Sequence, residues 1–170
     1  MFRRVPLPDT IPGRLYLTAM PGRYEPITEF EARMSRLSIS HVVCLTPLDE
    51  VITRSPGYYE IITTGEHKWQ FDHLPIPDFG VPDDRSAFLE LTLAMAGVIS
   101  SGDAILVHCG AGIGRTGTFA MVLTMALGLN RLEGAASVRM ADAEPEGMLQ
   151  QALIDWCECE LQKKSEIGTV

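Results

Sequence analysis

Long apolar runs are missing from this sequence of 170 residues. A helix that spans a membrane needs roughly 18 consecutive apolar residues, and no stretch of the chain reaches that length. The first residues, Met1 to Pro6, are interrupted by proline and too short to be typical of a secretory signal peptide. Internal repeats and low-complexity segments are also absent. We therefore expect one globular domain over residues 1–170, with no membrane span.

Positive charge is also scarce. The 14 lysines and arginines are outnumbered by 22 aspartates and glutamates, so the formal net charge is −8 at pH 7. A protein that binds nucleic acid is expected to carry a basic face, and no basic cluster is evident here. We therefore predict that nucleic acid is not a partner of this protein.

Cysteine is infrequent, with residues at positions 44, 109, 157 and 159 and no pair at C-x-x-C spacing. Disulfide frameworks are typical of shorter secreted chains that are richer in cysteine. No cluster of metal-ligand residues stands out in the sequence, so we predict that no metal and no cofactor is needed. Free thiols fit a reducing compartment, and we expect a cytoplasmic protein.

Short apolar runs of strand type alternate with helix-type patterns along the chain. Strands are predicted at 14–17, 41–46, 69–74 and 104–108, and helices at 27–38, 55–62, 83–100, 115–128, 132–140 and 148–161. This order predicts an α/β fold, with a central, mostly parallel sheet flanked by helices. Asp83 and Asp84 are predicted helix caps. We expect residues 1–13 to be irregular, Pro47–Glu50 to form a loop and the tail 163–170 to be frayed.

The most distinctive stretch is a glycine-rich segment, Val107–Gly117, between a predicted strand and a predicted helix. The first turn of a helix carries unpaired N–H groups and the positive end of the helix dipole, which together favour an anion. Glycines let the loop curl so that its N–H groups point inward, and an arginine fork matches two phosphate oxygens. We therefore predict a phosphate-binding loop that consists of Gly110, Ala111, Gly112, Ile113, Gly114 and Arg115.

Cys109 lies at the start of this loop, where the predicted strand ends. A free thiol is only a few per cent ionised near neutral pH. A helix N-terminus with neighbouring cations favours the thiolate, so the groups that bind a phosphate also activate a nucleophile. We identify Cys109 as the candidate catalytic nucleophile, with a buried structural cysteine as the alternative.

The run His108-Cys109-x-x-Gly112-x-x-Arg115-Thr116 resembles the signature of the cysteine-dependent protein tyrosine phosphatases. The opening of the chain is similar to the compact dual-specificity branch of that superfamily. The resemblance implies a phosphatase-type fold and a hydrolase of phosphate monoesters that uses no metal. In such an enzyme Cys109 attacks phosphorus and forms a phosphocysteine, while Arg115 binds the phosphate oxygens.

The leaving oxygen of a phosphate ester needs a proton, which the enzyme must supply. The run Pro77-Asp78-x-Gly80-x-Pro82 is similar to the acid loop of the same superfamily. The resemblance therefore assigns the general acid, and later the general base, to Asp78. An ordinary turn aspartate is the alternative.

Three supporting roles follow from the same resemblance. His108 braces the loop, Thr116 donates a hydrogen bond to the sulfur of Cys109, and Gln150 positions the hydrolytic water. Each has a simpler interpretation. His108 is then a core histidine, Thr116 is a helix-start residue, and the neighbouring Gln151 takes the place of Gln150.

The predicted function is a phosphoprotein phosphatase that acts on phosphotyrosine, with phosphoserine and phosphothreonine as further candidates. One alternative is a phosphatase of phosphoinositides or small phosphorylated metabolites, which the absence of lysine from the loop disfavours. Another is a phospho-binding module without turnover, which the presence of Cys109, Arg115 and Asp78 disfavours. Cys44 is either a buried structural residue or, as in some relatives, the partner of Cys109 in a redox disulfide. The oligomeric state is left open.

Overall fold

A computed structural model describes residues 1–167. The strands are β1 (Arg3–Val5), β2 (Arg14–Ala19), β3 (Ile39–Cys44), β4 (Gln70–His73) and β5 (Ala104–Cys109). The helices are α1 (Ile27–Leu37), α2 (Leu48–Arg54), α3 (Pro56–Thr64), α4 (Arg85–Ser100), α5 (Gly114–Ala126), α6 (Arg131–Met140) and α7 (Met148–Ile167). Within the described residues, none of the helices is long and apolar enough to cross a membrane.

The strands form one sheet in the order β1-β2-β5-β3-β4. Neighbouring strands run parallel from β2 to β4, and only β1 is antiparallel to its neighbour β2. The predicted α/β fold with a mostly parallel sheet is therefore confirmed. In such a sheet the carboxyl ends of the parallel strands share one edge, where ligands bind.

The central strand β5 is buried along its whole length. Successive side chains on a strand point to opposite faces of the sheet, so β5 contributes to two cores. Ile105, Val107 and Cys109 belong to the core that α4, α5 and α7 cover, whereas Leu106 belongs to the core on the side of α1 and α3. The side chain of Cys109 thus lies on the α5 side, and that of His108 lies on the α3 side.

Two predictions about connecting segments were wrong. Residues 1–13 are not wholly irregular, because Arg3–Val5 pairs with β2 and forms an edge of the sheet. A strand this short has no periodicity that the sequence displays. Residues 47–50 do not form a loop but begin α2, with Pro47 in the N-cap position. Proline is tolerated at a helix start, because the N–H that it lacks has no intrahelical partner there.

Two further predictions concerned helix ends: the caps Asp83 and Asp84 of one helix, and a frayed tail from residue 163. Asp84 caps α4, and its side chain accepts hydrogen bonds from two backbone N–H groups of the first turn. Asp83 makes neither of these contacts. The tail predicted to be frayed is helical as far as Ile167. The rest of that prediction, residues 168–170, lies outside the described residues.

Candidate active site

The predicted phosphate-binding loop joins β5 directly to α5. β5 ends at Cys109 and α5 begins at Gly114. Between them, Gly112 has a φ of 75°, a conformation that residues with a side chain adopt only at a cost. A Cβ atom at this position would also clash with the carbonyl group of Thr18 on β2. The close approach of the loop to β2 therefore requires glycine at position 112.

Two arginines that the sequence analysis missed hold the outer side of this loop. Arg23 donates a hydrogen bond of 2.8 Å to the carbonyl oxygen of Gly110. Arg3 donates to the carbonyl oxygen of Gly112. Both arginines come from segments far from the loop in sequence and belong to no motif, so no sequence signal pointed to them.

The sulfur of Cys109 lies inside the loop and is almost fully buried. It accepts a hydrogen bond from the backbone N–H of Gly112, at 3.2 Å. The predicted hydrogen bond from Thr116 is not formed. The Thr116 hydroxyl is buried and has no hydrogen-bond partner among the described residues. The loop backbone, rather than this hydroxyl, therefore solvates the sulfur.

Arg115 is only 3% exposed, and acceptors from three residues on two segments surround its guanidinium group. Its Nη1 atom lies 3.0 Å from a carboxylate oxygen of Glu50 and 3.0 Å from the carbonyl oxygen of Ile76. Its Nη2 atom lies 3.3 Å from the second oxygen of Glu50 and 3.0 Å from Oδ1 of Asp78. Burial disfavours the charge, but the hydrogen bond to Glu50 and the surrounding negative charges outweigh burial and raise the pKa of Arg115.

Glu50 is the site residue whose absence from the predictions matters most. It lies on α2, just beyond the carboxyl end of β3, and holds the Arg115 fork in a fixed plane. A Cβ atom on Gly110 would lie 2.5 Å from Glu50 and 2.9 Å from Arg115, so this pair explains the glycine. In the sequence, Glu50 is marked only as an acidic residue that follows a predicted strand, and many loops carry such a residue.

Asp78 lies on a tight turn of the predicted acid segment, residues 77–82, which faces the loop. The N–H of Gly80 bonds to the carbonyl oxygen of Pro77 at 2.9 Å, and Phe79 has a φ of 57°. A positive φ at the third position is the requirement of a type II turn, where glycine is normally found. Strain of this kind concentrates at functional sites. The turn presents Asp78 half exposed, with its carboxylate against Arg115.

Gln150 is buried and ties the acid segment to the helices. Its side-chain oxygen accepts from the hydroxyl of Thr118 at 3.0 Å and from the N–H of Glu146 at 2.7 Å. Its side-chain nitrogen donates to the carbonyl oxygen of Gly80 at 3.2 Å. The structure thus brings Gln150 to the acid segment, with its amide bonded to protein groups. Gln151 is exposed and turned towards Arg131.

His108 lies on the opposite face of β5 from the sulfur. Its Nε2 atom is 2.7 Å from the hydroxyl of Tyr58 on α3, and both side chains are fully buried. Burial lowers the pKa of His108 to about 3, with the charges of His73 and Arg115 acting in the same direction and the backbone of Cys109 in the opposite one. Burial likewise raises the pKa of Tyr58. A neutral hydrogen bond therefore anchors β5 next to Cys109.

The low pKa of His108 makes a prediction about stability in acid. The unfolded chain takes up a proton on this histidine below pH 6.5, whereas the folded protein does so only near pH 3. The free energy of unfolding should therefore fall as the pH drops through this window. Urea unfolding at several pH values should show a smaller fall in His108→Gln. The control His41→Gln, at a half-buried histidine on β3, should keep the wild-type fall; an equal fall in all three proteins would contradict this origin.

Cys44 is the remaining residue considered in the sequence analysis, as a buried structural cysteine or as the disulfide partner of Cys109. It pairs in register with His108, is fully buried, and its thiol points to the carbonyl oxygen of Thr46 at 3.6 Å. Burial raises the pKa of Cys44 to about 12. Both Cys44 and Cys109 are free thiols here. Among residues 1–167, no group of three or more side chains is arranged as a metal site.

Comparisons with known proteins bear on the fold that carries this site. In the mouse, tyrosine-protein phosphatase non-receptor type 2 is 41% identical over 71 residues, which cover 38% of this chain and 17% of that protein. A crystal structure of kinase associated phosphatase (KAP), with its catalytic-site cysteine replaced by serine, has a TM-score of 0.79 at 17% identity and covers 95% of this chain and 96% of that one. PTPMT1 in complex with PI(5)P has a TM-score of 0.73 at 13% identity, with 96% and 98% covered. At these identities the two structures show a shared fold.

The family comparison spans nearly the whole chain. The model of the PTP-SAK family, described as Swiss Army Knife protein, DSP-PTPase phosphatase domain, matches residues 10–159. This range contains β2 to β5, the acid segment and the glycine-rich loop. The compact dual-specificity character expected from the sequence is thereby confirmed. The chain belongs to the PTP-SAK family and carries a cysteine-based phosphatase domain of the DSP-PTPase type.

Proposed function

We propose that this protein hydrolyses phosphate monoesters on proteins through a phosphocysteine intermediate on Cys109. The observation that carries the proposal is a convergence of three functional groups from two segments. Asp78 lies 3.0 Å from the guanidinium group of Arg115, and Arg115 closes the loop that contains the buried sulfur of Cys109. A nucleophile, an oxyanion clamp and a carboxylic acid therefore meet at one edge of the sheet.

In the first step the Cys109 thiolate attacks phosphorus, and a sulfur–phosphorus bond replaces the ester oxygen–phosphorus bond. The departing oxygen takes a proton from Asp78 and leaves as an alcohol or phenol. Arg115 and the loop N–H groups bind the remaining phosphate oxygens, whose charge they stabilise in the transition state. The two hydrogen bonds from Arg115 to Glu50 hold the guanidinium plane in a fixed orientation towards those oxygens.

In the second step water attacks the phosphocysteine. Asp78, now a carboxylate, takes a proton from this water, the sulfur–phosphorus bond breaks and inorganic phosphate leaves. The hydrogen bond from Gly112 to the sulfur stabilises the departing thiolate. Gln150 supports this step by holding the carbonyl group of Gly80, which fixes the segment that carries Asp78.

We infer a phosphotyrosine substrate, with phosphoserine and phosphothreonine as further substrates. We also infer a cytoplasmic location. The residues of the loop between Cys109 and Arg115 carry no cation that would favour a multiply phosphorylated inositol ring. The curated relative in the mouse is named a tyrosine-protein phosphatase, which supports this substrate class. PTPMT1 was solved with PI(5)P, so a phosphoinositide is the substrate to test against it.

A substrate panel tests the proposal. Purified protein is assayed with p-nitrophenyl phosphate, with one peptide carrying phosphotyrosine or phosphoserine at the same position, and with dispersed phosphatidylinositol monophosphate. We expect the highest kcat/KM for the phosphotyrosine peptide. Faster release of phosphate from the lipid would overturn the substrate class. Binding of the peptides without release from any compound would overturn catalysis itself.

A further inference from the structure

Arg3 on the edge strand β1 reaches from outside the sheet to the catalytic loop. One nitrogen donates to the carbonyl oxygen of Gly112, and the other donates to the carbonyl oxygen of Asp142 at 2.6 Å. Asp142 itself has a φ of 48° and lies in the turn after α6. A single guanidinium fork thus joins the N-terminal strand, the glycine-rich loop and the segment that leads to α7.

Gly112 is the residue through which Arg3 can affect the nucleophile. The carbonyl group of Gly112 accepts from Arg3, and the N–H of the same residue donates to the sulfur of Cys109 at 3.2 Å. Gly112 has a positive φ and no side chain, so no side-chain contact of its own fixes the orientation of its backbone. The contact from Arg3 therefore restrains the peptide unit next to the N–H that is directed at the sulfur.

Arg3 also carries a charge that no carboxylate contacts directly among residues 1–167, although the Asp142 carboxylate acts on it from further away. The charges of Arg3 and Arg115 and the thiol of Cys44 act on Cys109, and the carboxylates of Glu50 and Asp78 lie against Arg115. Arg115 is balanced by two carboxylates at 3.0 Å, whereas Arg3 forms no ion pair among residues 1–167. Burial lowers the pKa of Arg3, and the charges of Asp142 and Cys109 oppose that shift.

A half-buried cation without a carboxylate in direct contact is costly, and each further anion nearby reduces that cost. A thiolate on Cys109 is such an anion. Because interactions between two sites are reciprocal, a cation that the thiolate stabilises must itself favour the thiolate. Both the fork geometry and the charge of Arg3 therefore act on the same sulfur.

We propose that Arg3 is a positioning residue for Cys109, which fixes the orientation of Gly112 and keeps the sulfur reactive. This inference rests on the proposed role of Cys109 as the nucleophile. The neighbouring Arg4 provides a matched control. It is exposed on the same strand and carries the same charge, and its side chain has no hydrogen bond or ion pair within the described residues.

The experiment measures the rate at which iodoacetamide alkylates Cys109 as a function of pH, with the modified peptide quantified by mass spectrometry. The reagent is uncharged, so a change in surface charge does not alter its approach. We expect Arg3→Gln to slow alkylation at neutral pH about tenfold or more, as for a lost hydrogen bond to a charged group. Arg3→Lys should recover part of the rate, because it keeps the charge and loses the fork.

Arg4→Gln should leave the profile unchanged. A wild-type profile in Arg3→Gln, or an equal slowing in Arg4→Gln, would overturn the proposal. If Arg3→Gln does not fold, Arg3→Lys decides the question, since a profile that coincides with wild type would then exclude a role for the fork. Alkylation needs no substrate, so absence of turnover in the wild type would count against the proposed function and not against Arg3.

Discussion

Replacement of Cys109 by serine should abolish phosphate release while the protein still binds phosphate. A serine hydroxyl is far less ionised than a thiol, so the attacking anion is lost. We expect kcat to fall by about 10⁴-fold or more, as for removal of other catalytic nucleophiles. Phosphate binding should persist, because the loop N–H groups and the Arg115 fork do not depend on the sulfur. Calorimetry with inorganic phosphate and an assay with p-nitrophenyl phosphate measure the two effects separately.

The matched control for this variant is Cys159→Ser. Cys159 is exposed on α7 and makes no contact with the loop, so its replacement should leave both activity and binding unchanged. Activity of the wild type should also survive EDTA, because the proposed steps use no metal ion. Full activity of Cys109→Ser, or loss of activity in EDTA that a divalent ion restores, would contradict the mechanism.

The glycine-rich loop was predictable because its chemistry is local. A strand, a cysteine, spaced glycines, an arginine and a helix follow one another within 104–126, and each neighbour in sequence is a neighbour in space. Asp78 was also accessible to sequence analysis, since its turn is marked by proline and glycine on either side. In both segments the residues that shape the backbone and the residues that carry the reactive groups lie within the same short run of sequence.

The residues that orient these groups were not predictable in the same way. Glu50 and Arg3 reach the loop from α2 and β1, through contacts that exist only after the sheet has formed. The predicted bond from Thr116 to the sulfur failed for a related reason. The backbone conformation of Gly112 decides which donor contacts the sulfur. The sequence also does not specify how the hydroxyl of Thr116 is rotated.

The contact between Asp78 and Arg115 bears on the order of events at the site. A substrate phosphate would use the same guanidinium nitrogen that now lies 3.0 Å from Asp78. Under the proposed mechanism we expect a bound phosphate to displace the Asp78 side chain from Arg115 towards the ester oxygen, where it acts in its protonated form. The half-exposed position of Asp78 on its turn is compatible with such a shift.

Replacement of Asp78 by asparagine should therefore lower kcat by roughly 10²- to 10⁴-fold for esters of alcohols, whose oxygen does not leave without a proton. Asparagine keeps the size of the side chain but carries no acidic proton. For esters of acidic phenols the loss should be small, because such phenolates depart unassisted. The descending limb of kcat/KM against pH, which reports the proton on the general acid, should flatten in this variant.

The measurement is a series of substrates with leaving groups of increasing acidity, applied to wild type, Asp78→Asn and the control Asp83→Asn. Asp83 is an exposed carboxylate five residues further along, and it neither contacts Arg115 nor caps α4. We expect the steep dependence on leaving group in Asp78→Asn alone. The same dependence in Asp83→Asn would move the acid to that residue. A uniform loss across the whole series in Asp78→Asn would instead mean that Asp78 serves to orient Arg115, because an orienting contact affects all substrates alike.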